Sequence, residues 1–396
     1  MAFCYQADAV IIGGGVIGTA VAHYLTRAGL RAALVEKHGV ASGASGRCEG
    51  FVLVNDKMPG YDSRLAAWSQ SLFAGIGDET GFDVQWHRTG SLLIAEDAAE
   101  MEMAAEFCGQ LAAEGLPVQL LDANQTCALE PYLATDIAGT MLTDSDGAVN
   151  PMALAQGLAR SARDGGGRLM AGTEVRSIGR TRTGAIERVI TDGGDILTDT
   201  VINAAGVGAP AVGRMVGVAI PITPRQGQIL VTERTFAITG RKMMEFGYLA
   251  TKFHREGYRR RVDAQMEENG VAFVFEPTGA GNFLIGSSRR FSGFDRGTDL
   301  AVLGAVARRA ARFYPVLKQV RIIRSYAGVR PYTPDHFPIV SKTAVPGFFV
   351  AAGHEGNGIT LCLATGKLMA EMVTGAPMSM DVGPLCLERF AADGSA

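Results

Sequence analysis

The sequence has few charged residues and no closely spaced cysteines. The first argues against a nucleic-acid-binding protein, and the second against a zinc or redox site formed by cysteines. Charged residues make up 19% of the 396 positions, and the formal net charge is −3. No strongly basic surface is implied, which argues against a nucleic-acid partner. The cysteines are scattered, no cluster has metal-ligand spacing, and we expect all but Cys48, considered below, to be reduced and mostly buried. They are Cys4, Cys48, Cys108, Cys127, Cys362 and Cys386.

Long uninterrupted apolar segments are also missing. The most apolar early stretch, residues 9–25, contains four glycines and a histidine. It has neither the basic flank and cleavage site of a signal peptide nor the length of a membrane-spanning helix. We therefore expect a cytoplasmic protein with no transmembrane segment. The 47% hydrophobic content over 396 residues is enough for a large core and predicts two domains.

The beginning of the chain carries the most informative motif. Residues 10–12 predict a buried parallel strand, and Gly13, Gly15 and Gly18 follow in Gly-x-Gly-x-x-Gly spacing at the start of a predicted helix. Such glycines permit a tight turn, let a pyrophosphate approach the backbone and bring helix and strand together. The free amides of the helix N-terminus favour phosphate. Glu36 ends the next predicted strand, where it can accept ribose hydroxyls, so the segment predicts a bound dinucleotide.

The middle of the chain alternates strands and helices without a linker that cuts it in two. Residues 89–95 predict a strand and residues 96–114 a helix. A further helix begins with Asn150 as the N-cap and Pro151 at its first position. Residues 201–206 predict a buried strand that ends in small residues, which allows a ligand close to the backbone. We expect discontinuous domains.

Beyond residue 220 the pattern changes to closely spaced strands. Four short apolar segments predict an antiparallel sheet that forms a second domain. They span residues 227–231, 247–250, 271–275 and 282–286. The last part of the chain returns to the first pattern, with a strand over residues 347–354 that ends in a glycine-rich turn and a helix over 359–373.

Together with the N-terminal glycine motif, six further segments resemble the D-amino-acid oxidase superfamily of flavoproteins, over nearly the whole chain. The segments are 41–46, 88–94, 146–151, 203–206, 328–331 and 352–358. The members to which the chain looks most similar are glycine oxidase, the β subunit of sarcosine oxidase, and flavin subunits of proline, hydroxyproline and opine dehydrogenases. The resemblance implies an α/β fold with a Rossmann-like FAD-binding domain of the glutathione-reductase type. An interleaved α+β substrate domain would be built on the antiparallel sheet.

The division of the chain that we predict is discontinuous. The FAD-binding domain would comprise residues 1–85, 148–220 and 323–396, and the substrate-binding domain residues 86–147 and 221–322.

The resemblance implies FAD as the cofactor and assigns its contacts position by position. The glycines of the N-terminal motif would cradle the pyrophosphate, and Glu36 would bind the adenosine ribose. Amides of the turn 356–359 would face the pyrimidine edge of the flavin, where negative charge develops on reduction. The implied cofactor-binding residues are Gly13, Gly15, Val16, Ile17, Gly18, Glu36, Lys37, Ser42, Ser45, Gly46, Arg47, Cys48, Glu49, Val175, Ala204, Ala205, Gly206, Gly356, Asn357, Gly358 and Ile359.

The resemblance also implies substrate-binding residues. Arg330 occupies the position that binds the substrate carboxylate in the family, which suits a two-donor guanidinium, and a salt-bridged surface arginine is the alternative. Tyr248 would hold or cover the substrate, or simply pack in the sheet. His354 lies in the turn beside the flavin, where a structural hydrogen bond is the preferred interpretation. Glu355 stands in a turn that lacks the second carboxylate-binding arginine of glycine oxidase. We hypothesise that Glu355 meets a cationic part of the substrate, with a solvent-facing acid as the alternative. Cys48 is expected to be a small packed side chain rather than a reactive thiol.

We therefore predict an FAD-dependent oxidoreductase that oxidises the C–N bond of an amino acid or N-substituted amino acid by hydride transfer from the α-carbon to flavin N5. The substrate would be a D-amino acid, glycine, sarcosine, proline, hydroxyproline or an opine. The preferred interpretation is a β-like catalytic subunit of a hetero-oligomeric dehydrogenase. The alternatives are a stand-alone oxidase that uses oxygen, and a flavin-binding assembly subunit without turnover. A nicotinamide-dependent reductase is disfavoured because a second glycine motif is missing. The charged segment 252–269 is interpreted as a solvated face, with a docking surface for a partner subunit as the alternative.

Overall fold

The computed structural model describes residues 4–252 and 257–390 of the chain. Its strands are β1 (Cys4–Gln6), β2 (Ala9–Ile12), β3 (Ala32–Glu36), β4 (Phe51–Val52), β5 (Ser91–Ala95), β6 (Val118–Asp122), β7 (Gly139–Thr143), β8 (Gly147–Ala148), β9 (Arg168–Ala171), β10 (Val175–Arg180), β11 (Ile186–Thr191), β12 (Gly194–Leu197), β13 (Val201–Asn203), β14 (Thr223–Thr232), β15 (Lys242–Glu245), β16 (Val274–Pro277), β17 (Phe283–Gly286), β18 (Ile322–Tyr332), β19 (Ile339–Lys342) and β20 (Phe348–Ala352). Its α-helices are α1 (Val16–Arg27), α2 (Tyr61–Leu72), α3 (Ile76–Thr80), α4 (Ala98–Ala113), α5 (Ala123–Leu129), α6 (Pro151–Asp164), α7 (Ala209–Arg214), α8 (Phe246–Lys252), α9 (Ala264–Glu268), α10 (Leu300–Phe313) and α11 (Gly358–Thr374).

A six-stranded sheet carries the N-terminal motif. Its strand order is β19-β20-β13-β2-β3-β9, and every neighbouring pair is parallel except β19 and β20. The central strand β2 is buried throughout because both faces of the sheet are covered. Ile11 packs with α1 and α11 on one face, whereas Val10 packs with the four-stranded sheet β1-β12-β11-β10 on the other. This double coverage explains the uninterrupted apolar run that the sequence shows.

The second large sheet of the structure has eight strands. Its order is β18-β14-β17-β16-β15-β5-β7-β6, and its neighbours are antiparallel apart from the parallel pair β5 and β15. The amphipathic helix α10 covers one face, with Val302, Val306 and Phe313 in the core. The helices α4 and α8 cover another part through Leu111, Phe246 and neighbouring apolar side chains. The predicted antiparallel sheet is therefore present.

Local differences from the sequence predictions have clear causes. The segment 247–250 was expected as a strand but belongs to helix α8, so that prediction is wrong. Phe246, Leu249 and Ala250 are buried at helical spacing, and periodicity alone does not separate a short apolar strand from a buried helix turn. The helix start at Asn150 is confirmed, since its side chain accepts from the Met152 and Ala153 amides.

The strand β18 bears on the predicted division of the chain. It pairs with β14 along residues 223–232, so residues 323–332 belong to the eight-stranded sheet rather than to the parallel one. The division into domains stays a prediction.

The charged segment 252–269 includes residues 253–256, which lie outside the described residues. In the remainder, Arg260 pairs with Glu245 and donates to the Val271 carbonyl at 2.7 Å. Part of this charge is therefore used inside the molecule, which a solvated face alone does not explain. Among the helices of the described chain, none is long and apolar enough to cross a bilayer.

Candidate active site

The larger of two adjoining cavities lies at the carboxyl ends of the parallel strands. It is lined by Ile12 at the end of β2, Glu36 at the end of β3, Ala204 after β13 and Ala352 at the end of β20. We call it the long cleft, and its volume is about 480 Å³. Ligands of open parallel sheets bind at this edge.

The glycine turn between β2 and α1 is shaped by close backbone approach. Gly13 has φ +115°, a left-handed conformation, and a Cβ there would lie 2.5 Å from the Ala204 carbonyl oxygen. A Cβ on Gly18 would collide with the Gly13 carbonyl oxygen. Only glycine therefore lets the helix begin this close to the strand ends. This is a cradle of the kind that the predicted pyrophosphate contact needs.

Glu36 is held in place at the end of β3. Its Oε2 accepts from the Gly14 amide at 2.7 Å, and its Oε1 accepts from the His38 amide at 2.8 Å and from Ser42 Oγ at 3.3 Å. These bonds fix the carboxylate at the rim of the long cleft, beside Lys37, whose Nζ lies 2.6 Å from Glu174 Oε1. The arrangement fits the ribose contact expected for Glu36.

Two long helices begin at the long cleft without a cap from the residue that precedes them, although Ser45 Oγ accepts from the Val16 amide of α1 at 3.0 Å. Neither Gly15 at the start of α1 nor Asn357 at the start of α11 supplies a capping side-chain bond. By contrast, α4, α6 and α10 are capped by Asp97, Asn150 and Asp299. Free amides at a helix start attract negative charge. The residues present thus fit an FAD with its phosphates at one helix start and the flavin pyrimidine edge at the other.

Most of the predicted cofactor-binding residues line the long cleft. They are Gly13, Gly15, Val16, Ile17, Glu36, Lys37, Ser42, Ser45, Arg47, Cys48, Glu49, Val175, Ala204, Ala205, Gly206, Gly356, Gly358 and Ile359. Gly18 instead packs on Gly13, Gly46 packs beneath the Ala41 carbonyl, and Asn357 lines the smaller cavity. Individual contacts of these residues with FAD stay predictions.

The smaller cavity adjoins the long cleft and is crowded with charge. We call it the inner cavity, and its volume is about 70 Å³. It is lined by Glu49, Phe51, Leu53, Asp56, Lys57, Arg225, Met244, Tyr248, Lys252, Val274, Ser287, Arg289, Arg330, Glu355, Gly356, Asn357 and Thr360. Glu49, Phe51, Arg330, Glu355 and Gly356 line both cavities. A molecule in the inner cavity therefore lies next to a ligand of the long cleft.

Arg330 is positioned at this junction by its own sheet. Its Nη1 donates to the Ser288 carbonyl at 3.0 Å, and its Nη2 donates to Ser287 Oγ at 2.9 Å. The guanidinium lies directly over Gly227, where any side chain would collide with it. Arg330 is thus a half-buried cavity residue, and no carboxylate of the described chain forms an ion pair with it, unlike the alternative of a salt-bridged surface arginine.

Two further arginines of the inner cavity escaped the sequence prediction. The antiparallel register of β14 and β18 places Arg225 directly opposite Arg330, so both side chains point to the same face. Arg289 follows the end of β17, and its Cζ lies 3.3 Å from the ring centre of Tyr248. Burial, aided by the like charges of Arg330 and Arg225, lowers the pKa of Arg289 to about 9. In the sequence, Arg289 is visible only as a charged residue after a predicted strand. The pairing of the strands is needed to place it in the cavity.

Tyr248 reaches the inner cavity from helix α8. Burial opposes ionisation of its hydroxyl, but the surrounding cations, Arg289 first among them, hold the pKa of Tyr248 below its ordinary value. The side chain lines the inner cavity and not the long cleft, which agrees with the expected contact to substrate. That role stays a prediction.

Glu355 is buried, in contrast to the solvent-facing alternative. Its carboxylate pairs with Arg225, and its Oε2 lies 2.9 Å from His336 Nδ1. The residue is 8% exposed and adopts φ +48° in the turn before α11. Arg225 and His336 therefore both contact the carboxylate, and a contact of Glu355 with a cationic substrate group stays a prediction. The same pair holds Arg225 at the wall of the inner cavity.

His354 and Cys48 line the long cleft in uncharged forms. Burial lowers the pKa of His354 to about 3, and its Nε2 lies 2.9 Å from Thr365 Oγ1. Burial likewise raises the pKa of the Cys48 thiol, whose Sγ donates to the Ser45 carbonyl at 3.6 Å. Neither group is suited to acid–base or thiolate chemistry at neutral pH, as the preferred interpretations anticipated.

Comparison with known proteins identifies the class to which this site belongs. The chain belongs to the family described as FAD dependent oxidoreductase (DAO), whose model matches residues 8–372. It is similar to glycine oxidase of Geobacillus kaustophilus (strain HTA426), with 29% identity that covers 97% of each chain. It is also similar to one of the subunits of opine oxidase from Rhizobium meliloti, with 26% identity that covers 98% of this chain and 99% of the relative.

A solved structure agrees with these relationships. The crystal structure of glycine oxidase from Geobacillus kaustophilus superposes with a TM-score of 0.86 at 28% identity, covering 97% of this chain and 99% of that one. The resemblance to the D-amino-acid oxidase superfamily, the fold class and FAD as cofactor are thereby confirmed. The protein is an FAD-dependent oxidoreductase.

Proposed function

We propose that this chain oxidises the C–N bond of an amino acid or an N-substituted amino acid. The observation that carries the proposal is Arg330, a guanidinium fixed by two hydrogen bonds where the inner cavity meets the long cleft. Such a group binds a carboxylate through two parallel donors and fixes its orientation. The similarity to glycine oxidase and to the opine oxidase polypeptide supports the same substrate class.

The residues of the chain contribute mainly binding and orientation. When bound, FAD supplies the acceptor for the hydride that leaves the α-carbon. Arg330 holds the carboxylate, so that the α-carbon faces the long cleft. Apolar walls limit the entry of water, and they are formed by Phe51, Leu53, Met244 and Val274. Correct placement of two reactants removes a large part of the entropic barrier.

We further propose that the chain acts in the cytoplasm as the catalytic subunit of a hetero-oligomeric dehydrogenase. The relative from Rhizobium meliloti, whose name makes it one of the subunits of opine oxidase, supports this assignment. The similarity to glycine oxidase favours the alternative, a stand-alone oxidase that uses oxygen. Rates of flavin reoxidation by oxygen and by an artificial acceptor, measured on the purified chain, separate the two. Reoxidation by oxygen as fast as turnover contradicts the hetero-oligomer proposal.

The catalytic proposal is tested by anaerobic titration of the purified holoenzyme, following the visible flavin band. The panel contains glycine, sarcosine, both enantiomers of proline and hydroxyproline, other D-amino acids and opines. We expect at least one compound to bleach the band. Arg330→Gln should raise the half-saturating concentration by about tenfold to a hundredfold, because hydrogen bonds between charged groups are lost. Arg308→Gln is the control, because Arg308 pairs with Asp263 away from both cavities.

A yellow protein that no amino acid bleaches contradicts this proposal. It would instead favour a flavin-binding assembly subunit without turnover. Bleaching that is unaffected by Arg330→Gln would contradict the assigned role of the guanidinium while leaving the reaction class intact.

A further inference from the structure

The charges of the inner cavity divide into compensated and uncompensated groups. Arg225 pairs with Glu355, Lys57 pairs with Asp56, and Lys252 interacts electrostatically with Asp56 and Asp62. Within the described residues, neither Arg330 nor Arg289 lies at ion-pair distance from any carboxylate. Two guanidinium groups of one small cavity thus have no anionic partner among the described residues.

Among residues 4–252 and 257–390, the contacts of Arg289 are with neutral groups. Its Nη1 donates to the Gly270 carbonyl at 3.3 Å, and its guanidinium lies on the face of Tyr248. Burying a cation without an anion is unfavourable, and the lowered pKa of Arg289 expresses this cost. A bound carboxylate would offset it.

Glu49 adds a group of opposite sign at the same place. It lines both cavities, and its buried Oε1 has no hydrogen-bond partner in the described structure. A buried carboxylate oxygen without a donor is costly unless a ligand supplies one. An amine N–H is the donor that an amino-acid substrate brings.

A single stretch of backbone brings these three groups together. Glu49 lies against Gly286, where a Cβ would collide with its Oε1. Ser287 and Ser288 hold Arg330 through the bonds described above, and Arg289 is the next residue. Residues 286–289 thus bring two cations, Arg330 and Arg289, and one acceptor, Glu49, to the same cavity.

We infer that the preferred substrate has an amine between two carboxylates, one bound by Arg330 and the other by Arg289, with the amine beside Glu49. This inference rests on the proposed oxidation of an amino-acid C–N bond and names its substrate class. The uncompensated charges of the three residues leave one net positive charge. A protonated secondary amine with two carboxylates carries one net negative charge, so ligand and cavity are complementary. The volume of about 70 Å³ accommodates roughly five waters, which suits a short substrate.

The first test compares matched ligands of the wild-type holoenzyme. Iminodiacetate has an amine between two carboxylates, and sarcosine keeps the amine with one carboxylate. We expect iminodiacetate to bleach the flavin at half-saturating concentrations at least tenfold below those of sarcosine, because one charge-assisted pair is added. If sarcosine is equal or better, the inference is wrong while the proposed function stands.

The second test measures binding without turnover. Glutarate has the shape of iminodiacetate with a methylene in place of the amine, and butyrate has one carboxylate. Perturbation of the visible flavin band should show glutarate bound at least tenfold more tightly than butyrate. This result would support the inference even if no compound bleached the flavin, which would count against the proposed function alone. Equal binding of the two acids would overturn the inference.

The third test assigns the second carboxylate to a residue. Arg289→Met should weaken glutarate binding at least tenfold and change butyrate binding less than twofold, and Arg289→Lys should restore part of the loss. Arg290→Met is the matched control, because Arg290 faces Asp299 at 3.4 Å and lines neither cavity. A loss for both acids, or for neither, contradicts the assignment to Arg289. If Arg289→Met does not fold, the wild-type comparison of glutarate with butyrate still decides.

Discussion

Replacing Gly227 by alanine tests whether the position of Arg330 determines substrate binding. Gly227 lies in β14 opposite Gly328 of β18, and the Arg330 guanidinium lies across it. A Cβ at this position would lie 2.6 Å from Arg330 Cζ, 2.6 Å from its Nη2 and closer still to its Nη1. Ordinary van der Waals contact begins at 3.4 Å, so the guanidinium must withdraw by at least about 0.8 Å, the difference between the two distances.

The movement should affect function far more than stability. The group that yields is the end of a flexible side chain, so we expect a cost of about 1 kcal/mol or less and a melting temperature lowered by a few degrees at most. The displaced guanidinium loses its alignment with Ser287 and Ser288, which hold it at 2.9 and 3.0 Å. A misplacement of about 1 Å can reduce a rate about a hundredfold.

Stopped-flow anaerobic reduction of the flavin, with thermal unfolding measured in parallel, is the assay. For Gly227→Ala we expect the half-saturating substrate concentration to rise at least about tenfold and the limiting rate to fall. Gly240→Ala is the matched control, because a Cβ there meets nothing within 4 Å. Unchanged reduction by Gly227→Ala would refute the assigned carboxylate contact. A large loss of stability would show instead that the strand cannot yield.

Three other predictions concern cofactor loading and stability. Gly18→Ala drives a methyl group into the Gly13 carbonyl, so the variant should purify with less than about a tenth of the wild-type flavin, measured by absorbance. Arg309→Met removes one of the two arginine partners of each of two buried carboxylates, Glu96 and Glu245, and chemical denaturation should show a loss of about 1.5–3 kcal/mol, the cost of losing a hydrogen bond to a charged group. Burial raises the pKa of Asp146 to about 6, so the folded chain retains a proton that the unfolded chain has released, and this contribution to stability falls as pH rises from about 4 to about 6. The free energy of unfolding of the wild type relative to Asp146→Asn should therefore fall by up to about 3 kcal/mol between pH 4 and pH 7, and a constant difference would contradict the shifted pKa.

Local motifs were predictable because their physics is local. The turn from β2 to α1 needs its glycines within a few residues, and Glu36 follows at the end of the adjacent strand, so sequence spacing alone defines the arrangement. The same holds for the start of α6, where Asn150 caps the amides of the next turn and Pro151 occupies the first helical position. These features are independent of the rest of the chain.

The inner cavity was only partly predictable because distant segments build it. Arg225 and Arg330 meet through the register of two strands about a hundred residues apart, and Arg289 arrives on a third segment. The burial of Glu355 depends on Arg225 and His336, which no local pattern reveals. Arg330 was found from the family resemblance, whereas Arg289 lay outside the motifs that carry it.

The strand order of the parallel sheet has a consequence for biosynthesis. β2, β13 and β20 lie side by side although the chain between them is long, and α11, which follows β20, packs against α1. During translation, the first strands and the glycine turn emerge early, but β20 and α11 join this side of the sheet only after the segment up to residue 374 has left the ribosome. We therefore expect flavin to be inserted only after most of the chain has been made. Ribosome-stalled chains that end before β20 should bind no flavin, and a supply of FAD should rescue only chains that already contain α11.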